Sequence, residues 1–275
     1  MAKAKYVPLR DIGRCVYCTD DNPPLTEEHI VPAGLGGEQT LTNASCEKCQ
    51  KIINREIETP CLQWMFRDIR YKRHLGRRRA KERPKTLPIL KSRSEHAEVQ
   101  DKNAWKNKEV PYNHHPTLLA MPIFRRPGIF HHGPEPLAPY SGEFALWTHI
   151  EPHDQDEIDS GGALVQMKFG INEFCRLVAK IAHCCAVAHF GVDGFTPWLT
   201  DFIRGLDRRQ QWHLIGSKLE TDPADSKANV IEFGQLRDEQ KKHLIVCSVR
   251  IFAHLGAPTY IAVVGKKNLR PVWLD

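Results

Sequence analysis

Apolar positions along the chain change their spacing several times, and each spacing predicts an element. In the segment IETPCLQWMFRDIRYKRHLG, Leu62, Met65, Phe66 and Ile69 recur at steps of three and four residues. That is the period of an amphipathic helix, and Gly76 supplies its stop. Residues 172–190 place Cys175, Val178, Ala179, Ala182, Ala186 and His189 on one helical face, while the other side is also largely apolar. The pattern predicts a buried central helix. A second, short helix is expected near Trp198–Arg204. The runs HLIVCSVRIFAHL and PTYIAVVG alternate and cluster like strands of an antiparallel sheet. Ser141–Glu151 and Gly162–Phe169 read as strands on either side of the acidic turn HDQDEIDSGG. Pro84, Pro88, Pro111, Pro116, Pro122 and Pro127 punctuate a loop-rich connector with short extended pieces. The expected class is α+β: a small N-terminal unit, then a larger domain with an antiparallel sheet and a buried helix.

The 275 residues are 41% hydrophobic and 26% charged, an ordinary globular balance that argues against wholesale disorder. No apolar run reaches the roughly 18–20 residues of a membrane span, and the N-terminus lacks the apolar core of a secretory signal. Nine Cys, an odd number, exclude a fully paired disulfide framework. A reducing, cytoplasmic setting is expected. The net charge is +6, unevenly spread: Met1 to Ser94 carries 19 Lys and Arg against 11 Asp and Glu, or +8, leaving −2 for the rest. The N-terminal third is therefore suited to a polyanion.

The cysteines explain part of that third. Cys15-Val-Tyr-Cys18 and Cys46-Glu-Lys-Cys49 form two CxxC pairs separated by 27 residues. Each pair presents two thiolates from one tight knuckle, the donor set of a tetrahedral structural zinc site. The separation exceeds that of an ordinary zinc finger, so a further element is inserted between the knuckles.

The insert contains Glu28-His29-Ile30-Val31-Pro32, then Gly36-Gly37, then Asn43, ahead of Cys46. With the two CxxC pairs, this arrangement resembles the zinc-stapled form of the HNH, or ββα-metal, endonuclease family over about residues 13–55. The resemblance implies that His29 acts as general base on a water and that Glu28 is a ligand of a catalytic Mg²⁺ or Mn²⁺. Asn43 would orient His29. The residue after the last Cys, usually His or Asn in the family, is Gln50 here. Gln50, Asn54 one turn later, or both would complete the cation site. Because strand neighbours alternate faces, only one of Glu27 and Glu28 is expected to reach it.

Between Ile57 and Arg93 stand 12 basic and three acidic residues. Arg67, Arg70, Arg73, Arg77, Arg78 and Arg79 are the expected contacts to a nucleic-acid backbone, DNA first, with little sequence specificity. The expected organisation is an HNH unit at 1–58, a basic helix and linker at 59–94, and an α+β domain at 95–275 for recognition, sensing or oligomerisation. The expected activity is hydrolysis of phosphodiester bonds. The alternative is a non-catalytic zinc-containing protein that binds nucleic acid or serves as a scaffold.

Overall fold

The structure, a computed structural model, describes residues 7–22, 24–75, 85–92, 105–111, 114–130, 140–149, 163–164, 168–209, 211–218, 228–237 and 243–268. Three strands open it: β1 (Val7–Asp11), β2 (Leu25–His29) and β3 (Gln39–Cys46), in the order β1-β3-β2. β1 runs parallel to β3, and β2 antiparallel. Helix α1 (Glu47–Ile53) starts directly from the end of β3, so β2, β3 and α1 make a hairpin followed by a helix. The hairpin closes through a tight turn at Ala33–Leu35, with Gly36 at φ 82°. At Gly37 a Cβ would lie 1.9 Å from the carbonyl oxygen of Val31. Only glycine permits that approach.

From α1 the chain stays helical through two wide turns, Asn54–Glu58 and Cys61–Met65, which flank Pro60. Proline has no N–H to donate, and widened turns are one way a helix absorbs the missing bond. At Phe66 the backbone leaves the helix, and α2 (Arg67–Lys72) resumes it. The expected apolar stripe is present, with Met65, Phe66 and Ile69 buried and Leu62 partly so, but it belongs to two helical pieces.

β4 (Thr86–Ser92), β5 (Trp105–Pro111), β6 (Thr117–Phe124), β7 (Tyr140–His149) and β8 (Ala163–Leu164) follow. They form a β5-β4-β8 group and a β6-β7 pair. The proline-rich connector thus builds strands of up to eight residues rather than short pieces. Pro88 sits within β4 where β8 does not reach, since β8 pairs only with Leu90 and Lys91. A missing donor costs little on that side.

Helix α3 (Ile171–Phe190) is buried almost continuously from Phe174 to Cys184, as its composition predicts. Next come β9 (Phe195–Pro197), α4 (Thr200–Ile203), α5 (Gln211–Leu214), β10 (Ile215–Lys218), β11 (Asn229–Arg237), β12 (His243–Ile251) and β13 (Thr259–Lys267). The last four strands, with β9 on β13, form an antiparallel sheet ordered β10-β13-β12-β11. β12 stops earlier than its apolar run suggests, because Phe252 takes φ 59° and leads into a turn at Ala253–Leu255. One face of α3 rests on β12 and β13. Arg176, Lys180 and His183 reach the N-terminal unit, and one apolar core runs through both. No helix among the described residues is long and apolar enough to cross a membrane.

Candidate functional site

Cys15 and Cys18 lie in the turn after β1, Cys46 caps α1, and Cys49 sits in its first turn. The chain thereby brings both CxxC pairs together: the four Sγ atoms lie within 4.8 Å of one another, with Cys18 and Cys46 at 3.6 Å. Tetrahedral bonds of about 2.3 Å to zinc separate sulfurs by about 3.8 Å, so the donor set fits a zinc ion. A hydrogen bond with Cys49 holds the Cys15 thiol down to about 4, while Cys49 is pushed up by the same pairing. The first knuckle is pinned to its surroundings. Val16 donates to the carbonyl of Ala44 (2.8 Å), and His183 Nε2 bonds the carbonyl of Val16 (2.8 Å).

Beside this cluster, β2 carries the Glu28–His29 pair. His29 ends the strand opposite Thr40 and is half-buried. Glu28 points the other way and is 5% exposed. Its Oε1 lies 2.7 Å from Lys180 Nζ, and Lys180 also pairs with Glu58 at 3.2 Å. Burial raises the Glu28 carboxyl above its ordinary range, with Lys180 opposing. Burial pulls the Lys180 ammonium down, but the two carboxylates outweigh it and hold it charged.

This geometry bears on two of the expected site residues. As it stands, Glu28 does not fit the role of ligand to an open cation site. It is enclosed, and its charge is matched by an ammonium that a divalent ion would have to displace. Asn43 does not stand opposite His29. It lies three residues along β3 from Thr40, about 10 Å of extended strand, in a bulge where it takes φ 49°. Its amide donates to Asp11 Oδ1 on β1 at 2.8 Å. Gln50 is half-buried midway along α1, and Asn54 is exposed where the helix widens.

With strand, helix and thiol cluster in place, the chain can be compared with known families. Residues 15–64 match the family model described as HNH endonuclease. The match begins at the first zinc-site cysteine and covers β2, β3, α1 and the wide turns as far as Trp64. No curated protein and no solved structure matches the chain. An HNH unit implies nucleic acid as the partner in general terms.

The basic residues beyond the matched segment divide by structure. Arg70 donates from Nε to the carbonyl of Gly34 (2.7 Å) and from Nη1 to that of Leu62 (2.6 Å), tying the hairpin loop to α2. Arg67 Nε is held by Asp68 at 2.8 Å. Arg73 is exposed, with its guanidinium 5.8 Å from the centre of the Trp147 ring. Arg77, Arg78 and Arg79 lie outside the described residues.

Sequence reasoning missed Lys180, Arg176, His183, Tyr17 and Glu58. Arg176, Lys180 and His183 are each no more than 2% exposed, and they stand at i, i+4 and i+7 of an otherwise apolar helix. Charged side chains are almost never fully buried unless paired. That spacing was the available signal.

Proposed function

We propose that the protein is an HNH-type endonuclease that hydrolyses phosphodiester bonds, with DNA as the first substrate to test. The observation that carries this reading is the joint placement of the four-thiol cluster and His29 on one hairpin-and-helix unit that matches the family model. Zinc at Cys15, Cys18, Cys46 and Cys49 would hold a unit too small to keep its fold on apolar burial alone. His29 would take a proton from a water molecule as the water oxygen attacks phosphorus. The bond to the 3′ oxygen breaks and that oxygen is protonated, leaving 5′-phosphate and 3′-hydroxyl ends. Asn43 is then a positioning residue that braces β3 on β1 through Asp11. Of Arg67, Arg70 and Arg73, Arg73 is the exposed one and would be the first to meet a phosphate. A reducing, cytoplasmic compartment suits nine cysteines that are all unbridged.

A Mg²⁺ or Mn²⁺ requirement is the family expectation, and Glu28 as found supplies no step through such an ion. That pairing also favours a second reading, a zinc-containing nucleic-acid-binding protein without catalysis. Nicking of supercoiled plasmid separates the two, run in EDTA, Mg²⁺ and Mn²⁺ with His29→Ala alongside and zinc quantified in both. The expected result is nicking by the wild type, lost in His29→Ala at equal zinc content and equal DNA affinity. Binding of DNA and RNA with no His29-dependent cleavage of either would move the assignment to the second reading.

A further inference from the structure

We infer that Lys180, on the long C-terminal helix, is the positioning residue that fixes His29 for proton abstraction; this rests on the nuclease reading above. The Lys180 ammonium donates to the backbone carbonyl of His29, lies 3.4 Å from that of Ile30, and pairs with Glu28 at 2.7 Å and Glu58 at 3.2 Å. An ammonium has three protons, and here four acceptors surround them. It therefore has no freedom to swing.

Its targets lie where β2 ends. On one side His29 pairs with Thr40 and Ile30 donates to the carbonyl of Gln39 at 3.1 Å. On the other side the carbonyls of the same two residues meet Lys180. The peptide unit that follows the His29 side chain is thus held from two directions, its N–H by β3 and its carbonyl by Lys180. Beyond them the chain turns into the hairpin loop, so without Lys180 only one edge would be bonded.

The origin of this brace argues against a gate. Lys180 is fully buried and lies midway along a 20-residue helix whose core is shared by both halves of the molecule. Withdrawing it to free Glu28 would open that core. Glu28 and Glu58 act as the seat of the ammonium, and the ammonium carries their placement to the His29 backbone. A reacting group misplaced by about 1 Å can cost 100-fold in rate, so this brace reaches catalysis without touching substrate.

The test uses the full-length zinc-loaded protein as wild type, His29→Ala, Lys180→Met and Lys180→Arg. Plasmid nicking gives kcat and KM, and zinc content and melting temperature are measured with it. Nitrogen–proton spectra report the His29 ring. Lys180→Met is expected to keep its zinc and KM while kcat falls about 100-fold and the His29 ring signals shift. Lys180→Arg, which keeps charge and donors, is expected to recover most of the loss. Cleavage by Lys180→Met at or above the wild-type rate would overturn the inference, and so would a loss that only follows zinc release or melting. If Lys180→Met does not fold, the wild type decides: the Lys180 ammonium protons should exchange slowly and couple to the His29 carbonyl carbon. Fast exchange without coupling sinks the brace. A wild type that cleaves no nucleic acid ends the nuclease reading and leaves no rate for Lys180 to support; the spectra then show separately whether the brace exists.

Discussion

His183 shows how far one side chain can carry the link between the two halves. It is 1% exposed and bonds the Val16 carbonyl inside the first zinc knuckle. Burial, the largest cause, lowers its pKa from 6.5 to about 4, so the native state holds it neutral. In the unfolded chain it titrates near 6.5. Its folded value is depressed, so the unfolded state takes up a proton first as pH falls. The contribution is complete above about pH 6.5, drains between about 6.5 and 4, and is flat below. A gap of about 2.5 units corresponds to at most about 3 kcal/mol. His183→Gln can keep a donor for Val16 but has no such proton. In urea titrations with zinc in excess, the wild type should lose more stability than the variant across that window. Parallel curves would show that His183 is not held neutral.

At the scale of elements, the helical segment after the zinc site does two jobs that its composition merges. Its arginines read alike in sequence, yet Arg70 is spent on two backbone carbonyls while Arg73 stays exposed. Arg70→Ala should therefore cost about 1–3 kcal/mol of stability through unmet carbonyls and leave the salt dependence of DNA binding unchanged. Arg73→Ala should leave the melting temperature in place and reduce the salt slope by about one. Equal effects of the two substitutions on binding would return Arg70 to the phosphate-contact group. Sequence periodicity placed the apolar stripe correctly because burial follows side-chain spacing. It could not place the break at Phe66 or the wide turns around Pro60, because these depend on how the backbone settles around one missing donor.

For the whole molecule, the consequence is that the N-terminal unit, which matches the HNH model, is not built to stand apart. Helix α3 supplies Arg176 to Glu56, Lys180 to Glu28 and Glu58, and His183 to Val16. Its apolar positions close the same core. A fragment of residues 7–75 would keep all four zinc ligands but lose each of those partners. With equimolar zinc it is expected to show poor amide dispersion and no cooperative urea transition. A well-dispersed fragment that unfolds cooperatively would show that zinc alone suffices. The sequence by itself determined the features written locally: the CxxC pairs, the Gly36-Gly37 turn, the buried helix and the strands of the antiparallel sheet. Each rests on residue chemistry or on a spacing of two to four positions. Tertiary structure alone decided that Glu28 faces a lysine 152 positions away rather than open solvent, that Asn43 bonds Asp11, and that Arg70 is structural. Those outcomes depend on which polar groups the folded core brings within reach of one another, and spacing along the chain carries no record of that.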